Sequence, residues 1–588
     1  MNLLHKANNK QVLFSRGLAL MLTLGLGACN DLDEYNPSNA TADTVWSTPE
    51  GFVTVVNGAY SEQRSWYGKE DGEFMSETGT DLWFNSSKST YAGQLTQYAG
   101  LTPLQGNPNR AAWTALWKSI NLCNAGINRI NEAGFTSAQD KNQREGELRF
   151  LRAFYYWHVV ETWGGVMLRT EETKEPVVTA TRSSVDDFYK LIISDLEFAA
   201  ANLPVSWGNE YSRATNKAAM GFLARAYLSQ AYYATGGDAQ TYFTKARDMA
   251  NSIITRKGEL KVDLVPSYAD LFNPANNKKQ GRDGGEALYV VSNSTNPSLN
   301  IDDQGNRLFQ VFQAPYNGRP GLEQSLAYGY ENNRRLMPTL TLLDLYDATK
   351  DARYEASFQE VWLANKAYTW TAADARTFGK DASIVGKQLR VGDTALVVTK
   401  RALTNKNLRT YVVYDRNDVY LPNRTIRDGL NYVNLKKFFD PNRSAPNVQA
   451  GTNDVMVMRL AEMYLISAEA ELQLGNKAAA ATMINVLRTR AARKTPVNQT
   501  AAMQITAADV TLDFILDERA REFAGENIRW FDVKRMKGVR SSDDFVNYIK
   551  QRNPDINQVQ PFHVLRPIRQ EELNSLTNAA EFGQNPGY

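Results

Sequence analysis

Two stretches of this chain set aromatic rings beside amides and guanidinium groups, the combination that grips a sugar. The first is Asp81-Leu82-Trp83-Phe84-Asn85-Ser86-Ser87. The second is Ala327-Tyr328-Gly329-Tyr330-Glu331-Asn332-Asn333-Arg334-Arg335, preceded by Asn317-Gly318-Arg319-Pro320-Gly321. A sugar ring presents apolar C–H faces edged by hydroxyls, so Trp or Tyr can stack on the face while Asn and Arg satisfy the edge. Trp83, Tyr328 and Tyr330 are the candidate stacking residues, and Asn85, Asn332 and Arg334 the candidate hydrogen-bonding residues. Trp83 has a competing reading as a core residue under its loop, since large aromatics pack more often than they bind. The glycines around Tyr328 and Tyr330 favour an open loop, whereas Trp66, Tyr67 and Tyr91 read as core or partner-facing.

Groups for bond-breaking chemistry are scarce. Of three histidines, His5 lies at the extreme N-terminus, and His158 and His563 stand in apolar sequence. A histidine metal site or a Ser-His-Asp triad would have to use one of those two. There is no Gly-x-Ser-x-Gly elbow, no His-Glu-x-x-His helix and no Walker-type phosphate loop. No cofactor is expected. Two of the 64 acidic residues could still converge as a glycosidase pair, so residue counting leaves a surface hydrolase open. Arg149, Arg152, Glu518, Arg519, Glu522, Asp532 and Arg535 fall at helical spacing and are expected to form interhelical ion pairs, not an acid/base network. A formal net charge of +2 gives no reason to expect a nucleic-acid partner.

The N-terminus carries Lys6, Lys10 and Arg16, then an apolar run over residues 17–26, then Gly27-Ala28-Cys29. That order is a secretory signal, expected to be removed as residues 1–28. The run falls well short of the roughly 20 residues needed to span a bilayer. Leu26-Gly27-Ala28-Cys29 resembles a bacterial lipobox, which would make Cys29 the acylated first residue and residues 29–39 its tether. The acidic residues Asp31, Asp33 and Glu34 resemble an export signal that carries lipoproteins to the cell surface. With Cys29 acylated, the other of the two cysteines, Cys123, has no partner for a disulfide, so packing must hold the fold.

The elements that position these groups read as mainly helical. A helix is expected from about Asp140 to Trp163, stopped by Gly164-Gly165, with Leu148, Leu151, Tyr155 and Val159 on one stripe and Phe150, Phe154 and Trp157 on another. A helix apolar on two faces belongs inside a bundle. Ser184 and Asp187 form a capping box before the next helix, which Pro204 closes. Two helical pairs have tetratricopeptide spacing. One runs from Leu223, Ala224 and Tyr227 to Ala246, Ala250 and Ile253, with an expected loop around Gly236-Gly237 some ten residues longer than a standard repeat. The other uses Tyr464, Ala468, Ala480, Ile484 and Leu487, with Gly475 at the turn. The expectation is a scaffold of helix pairs, mainly residues 40–260 and 450–540, carrying an irregular loop-rich ligand-binding region from about 260 to 450.

The order of several segments resembles the SusD/RagB family of nutrient-binding lipoproteins. They are Glu147-Leu148-Arg149-Phe150-Leu151-Arg152-Ala153-Phe154-Tyr155-Tyr156 with Trp163-Gly164-Gly165; Arg213-Ala214-Thr215 with Leu223-Ala224-Arg225-Ala226-Tyr227-Leu228; Tyr268-Ala269-Asp270-Leu271-Phe272; Arg459-Leu460-Ala461-Glu462-Met463-Tyr464; Asp517-Glu518-Arg519-Ala520-Arg521-Glu522-Phe523; Arg529-Trp530-Phe531-Asp532-Val533-Lys534-Arg535; and the closing Asn585-Pro586-Gly587-Tyr588. The resemblance covers nearly the whole of residues 40–588. It implies a non-catalytic lid that captures oligosaccharides, or in some relatives peptides, and hands them to a SusC-like TonB-dependent transporter in the outer membrane. It also implies a ligand-facing tryptophan near Trp83 and aromatic contacts near Tyr330, where some members have Trp.

Overall fold

The computed structural model describes residues 45–89, 91–105, 110–300, 305–329 and 335–588. Its helices begin with α1 (Pro49–Ser61), α2 (Glu70–Glu77) and α3 (Arg110–Arg129), followed by α4 (Ala138–Trp163), α5 (Val185–Asn202), α6 (Asn216–Tyr233) and α7 (Gly236–Thr255). After a long interval come α8 (Leu460–Gln473), α9 (Lys477–Ala491), α10 (Leu512–Phe523) and α11 (Ser542–Arg552). Helices α3 to α9 form one row in which each packs on the next, α7 against α8 included. The 204 residues between Thr255 and Leu460 are thus looped out between two neighbours in space. No helix among the described residues is long and apolar enough to cross a membrane.

Local sequence explains the helix ends. Ser137 caps α4 by accepting from Asp140 N, and Gly164 ends it at φ +73°, a conformation that a side chain resists. Ser184 and Asp187 make the reciprocal box at the start of α5. Gly475, at φ +87°, turns the chain between α8 and α9. One expectation fails: only Ala234 and Thr235 separate α6 from α7, and Gly236-Gly237 open α7 instead of lying in a long loop. The additional residues lengthen the two helices, and Ala246, Ala250 and Ile253 still face the core.

The looped-out interval contains short strands: β2 (Ala287–Val291), β3 (Leu336–Pro338), β4 (Val361–Leu363), β5 (Thr394–Val398), β6 (Val412–Tyr414) and β7 (Val455–Arg459), while β1 (Trp83–Asn85) comes from the N-terminal part. β7 pairs antiparallel with β2 and leads directly into α8, tying the interval to the helix row. β4, β5 and β6 form a three-stranded sheet.

Buried ion pairs fix the frame, and the charged residues singled out by sequence take part. Arg152 and Arg149 meet Asp195 at 2.7 and 3.0 Å. Arg519 meets Asp532 at 2.6 Å, and Arg535 meets Glu469 at 2.8 Å. Glu518 and Glu522 are both held by Arg353, at 2.9 and 3.0 Å. Such pairs are a weak source of net stability, but removing one partner strands a charge in the interior.

Candidate ligand-binding surface

The two aromatic-polar stretches, more than 240 residues apart, are joined by one short antiparallel ladder. Trp83 pairs with Pro338, Phe84 with Met337 and Asn85 with Leu336. Beyond the ladder, Ser86 N donates to Arg335 O at 3.1 Å. Arg335 also donates to Ser89 Oγ and lies 2.9 Å from Glu70 at the start of α2. The loop of residues 424–431 closes against the same edge: a Cβ on Gly429 would stand 2.5 Å from Ser86 O, so only glycine fits that approach.

The ladder buries the two residues expected to bind. Trp83 has no exposed surface; its indole donates to Glu77 Oε2 at 2.8 Å, and its ring lies 4.7 Å from that of Phe312. Asn85 is buried as well, its amide donating to Ser89 O at 2.8 Å to close the turn. Both are corrected from ligand contacts to framework, because each residue of this strand spends its side chain on the interior. Tyr330, Asn332, Arg334 and Cys29 lie outside the described residues.

Tyr328 is the expected residue that the structure leaves half-exposed. It sits on the 3-10 turn Leu326–Tyr328, and its hydroxyl donates to Leu363 O at 2.8 Å and accepts from Leu363 N at 2.9 Å. The buried ring of Tyr316 meets it edge-on at 5.5 Å, and Gly329 follows at φ +82°. The ring is therefore held rigidly, a state that lowers the entropy cost of stacking on a ligand. Leu363 and Val361 beside it are 45% and 46% exposed.

The 424–431 loop, absent from the sequence candidates, meets Arg319 of the second stretch. Arg319 donates to Asn431 Oδ1 at 2.6 Å, and Asn431 donates to Asp428 Oδ2 at 2.7 Å, so the 424–431 loop supplies polar groups next to an exposed Leu430. The Asp428-Gly429 pair was the available signal, since that dipeptide marks a tight turn. Half-buried Tyr91 and exposed Lys88 both have left-handed backbone, at φ +54° and +51°, which non-glycine residues seldom adopt. Burial and the neighbouring Asp71 push the Tyr91 hydroxyl up to about 12.

The two remaining histidines are framework. His158 and His563 are buried, which lowers each to about 3, with nearby guanidinium groups acting in the same direction. Among the described residues no three His, Cys, Asp or Glu side chains gather where they could hold a metal ion.

The SusD family model matches residues 290–588, and a second, described as starch-binding associating with outer membrane, matches residues 31–228. The chain belongs to the SusD family. It is similar to a SusD-like protein of Formosa agariphila, 24% identical over 528 residues that cover 88% of this chain and 90% of that one. It is also similar to the starch-binding protein SusD of Bacteroides thetaiotaomicron, 23% identical over 603 residues covering 98% of each chain. Among solved structures it matches a laminarin-binding SusD-like protein at a TM-score of 0.61 and 19% identity, over 92% of this chain and 100% of that one, a likeness of fold. The row α3 to α9 is the helical scaffold of this SusD-like fold and includes both helix pairs of tetratricopeptide spacing, α6–α7 and α8–α9.

Proposed function

We propose that this chain is a surface-exposed, non-catalytic lipoprotein that captures oligosaccharides and delivers them to a SusC-like TonB-dependent transporter in the outer membrane. The observation that carries the ligand part is Tyr328, a half-exposed ring clamped through its hydroxyl to Leu363, whose own side chain is exposed. Tyr330, Asn332 and Arg334, within six residues of Tyr328 along the chain, remain sequence candidates for the same ligand. The family's association with starch binding at the outer membrane, and the starch and laminarin named for two relatives, support a glycan over other cargo. Burial of His158 and His563 supports a role without bond cleavage.

Acylation of Cys29 would supply the anchor, because each lipid methylene inserted in the bilayer contributes about 0.8 kcal/mol. Mass spectrometry of the membrane-extracted protein should find an acylated Cys29 at the mature N-terminus. An unmodified cysteine there would remove the lipoprotein assignment. Affinity purification from the native envelope should recover a TonB-dependent transporter, and its repeated absence would count against the delivery step.

A further inference from the structure

A second cleft, of about 330 Å³, opens between α1, the short helical turn Gln63–Trp66, residues 210–213 and the end of β2. It shares no residue with the Tyr328 surface, and its size falls at the small end of the roughly 300–1,000 Å³ typical of ligand sites. Two consecutive residues line it with unused donors. Gln63 is 2% exposed; its Oε1 accepts from Tyr289 OH at 2.8 Å, which fixes the amide so that Nε2 is the free end, and Nε2 has no partner. Half-buried Arg64 has a buried Nε without an acceptor and no carboxylate within ion-pair distance among the described residues.

Arg213, across the cleft, shows what a satisfied guanidinium looks like here. It meets Glu147 at 3.0 Å and Glu210 at 3.2 Å and donates to Asn57 Oδ1 at 2.8 Å. Glu147 is shared with Arg144 at 2.6 Å and Tyr60 OH at 2.9 Å and makes no ion pair with Arg64. Glu210 is the one acid lining the cleft, against the two guanidinium groups of Arg64 and Arg213. Buried N–H groups are nearly always matched by an acceptor, and here both orphans are donors only. A carboxylate or sulfate is acceptor-only and forms its strongest hydrogen bonds with guanidinium.

We infer that this cleft binds an anionic group, a carboxylate or a sulfate, through Arg64 and Gln63, as a site separate from the Tyr328 surface. The group could come from an acidic sugar or from a free anion, and calorimetry separates the two. Titrations of the purified chain with glucuronate, glucose and inorganic sulfate at one ionic strength should give saturable binding of glucuronate and none of glucose at this site. Sulfate binding as tightly as glucuronate would assign the site to simple anions, whereas tighter glucuronate binding would assign it to an acidic sugar. Arg64→Gln should weaken glucuronate at least tenfold with an unchanged melting temperature, Arg64→Lys should restore part of it, and Tyr328→Ala should leave it unchanged. Equal binding of glucose and glucuronate, or full affinity in Arg64→Gln, would overturn the inference.

Discussion

Trp83 Nε1 and Glu77 Oε2 are joined by a 2.8 Å hydrogen bond in the protein interior. The other oxygen of Glu77 accepts from Ile528 N at 3.0 Å and Arg529 N at 3.2 Å, and the Arg529 guanidinium in turn grips Asp81 at 2.7 Å. A single buried acid thus links β1 to a segment more than 440 residues away. Trp83 is a buried strut of the framework under the candidate edge.

Trp83→Phe keeps the aromatic packing but leaves Glu77 short of a donor, which should cost about 1–3 kcal/mol of stability. Trp83→Ala also opens a cavity and should cost about 3–5 kcal/mol. Urea denaturation measures both. Calorimetry on the folded Phe variant should find ligand affinity within twofold of the parent, and a tenfold loss would return Trp83 to the site.

Glu73, one turn before Glu77 on α2, is buried with no hydrogen-bond partner in good geometry for either oxygen. Burial, reinforced by the charge of Glu77, pushes its carboxyl well above the usual carboxylate range. Burial likewise pushes Glu77 up to about 7, opposed by the hydrogen bonds it accepts. An acid whose folded pKa is raised holds its proton more tightly in the folded state, so stability falls as pH rises above the ordinary value of about 4.5. Glu73→Gln should therefore leave the melting temperature nearly unchanged at pH 4 and raise it at pH 8. A variant no more stable at pH 8 than the parent would contradict this account of Glu73.

Arg459 closes β7 and is buried among three carboxylates, Glu286 at 2.9 Å, Glu522 at 2.7 Å and Glu526 at 2.8 Å. Burial alone would raise Glu522 and Glu526, but Arg490, Arg459 and Arg353 around Glu522, and Arg459 and Lys437 around Glu526, outweigh it and hold both below the usual range; Arg353, Arg521 and Arg488 do the same for Glu518, at about 2. The sign is opposite to that of Glu73: this stability is present above pH 4.5 and is lost as pH falls toward 2. Arg459→Met should cost about 3–5 kcal/mol at pH 7, because it strands buried charges, and should flatten the loss of stability in acid. Chemical denaturation at pH 7 and pH 3 checks both.

Tyr328→Ala removes the half-exposed ring and should weaken oligosaccharide binding by about 1–3 kcal/mol, the range expected for lost aromatic burial and stacking. Tyr328→Phe keeps the ring but frees it from Leu363, so a smaller loss is expected. Unchanged affinity in the Ala variant would take Tyr328 out of the site.

The helical row was readable because its periodicity is local. Ser137, Ser184, Gly164 and Gly475 mark helix ends through bonds to residues three or four positions away, or through a single backbone angle. The ion pairs were readable in kind, since charges on otherwise apolar helices need partners. The fate of Trp83 was hidden because exposure there depends on Leu336 to Pro338 and on Phe312, and no pattern within residues 81–87 specifies those neighbours. The link from α6 to α7 failed for a related reason: glycines suggest a loop, yet Gly236 and Gly237 sit in a first helical turn, where the backbone hydrogen bonds are not yet required.

The central claim is that this protein binds glycan without cleaving it, and isothermal calorimetry of the purified chain against a panel of oligosaccharides tests it most directly. The account predicts that at least one oligosaccharide gives saturable heat that returns to baseline after each injection. Sustained heat flow accompanied by new reducing ends, or no saturable heat with any glycan in the panel, would contradict it.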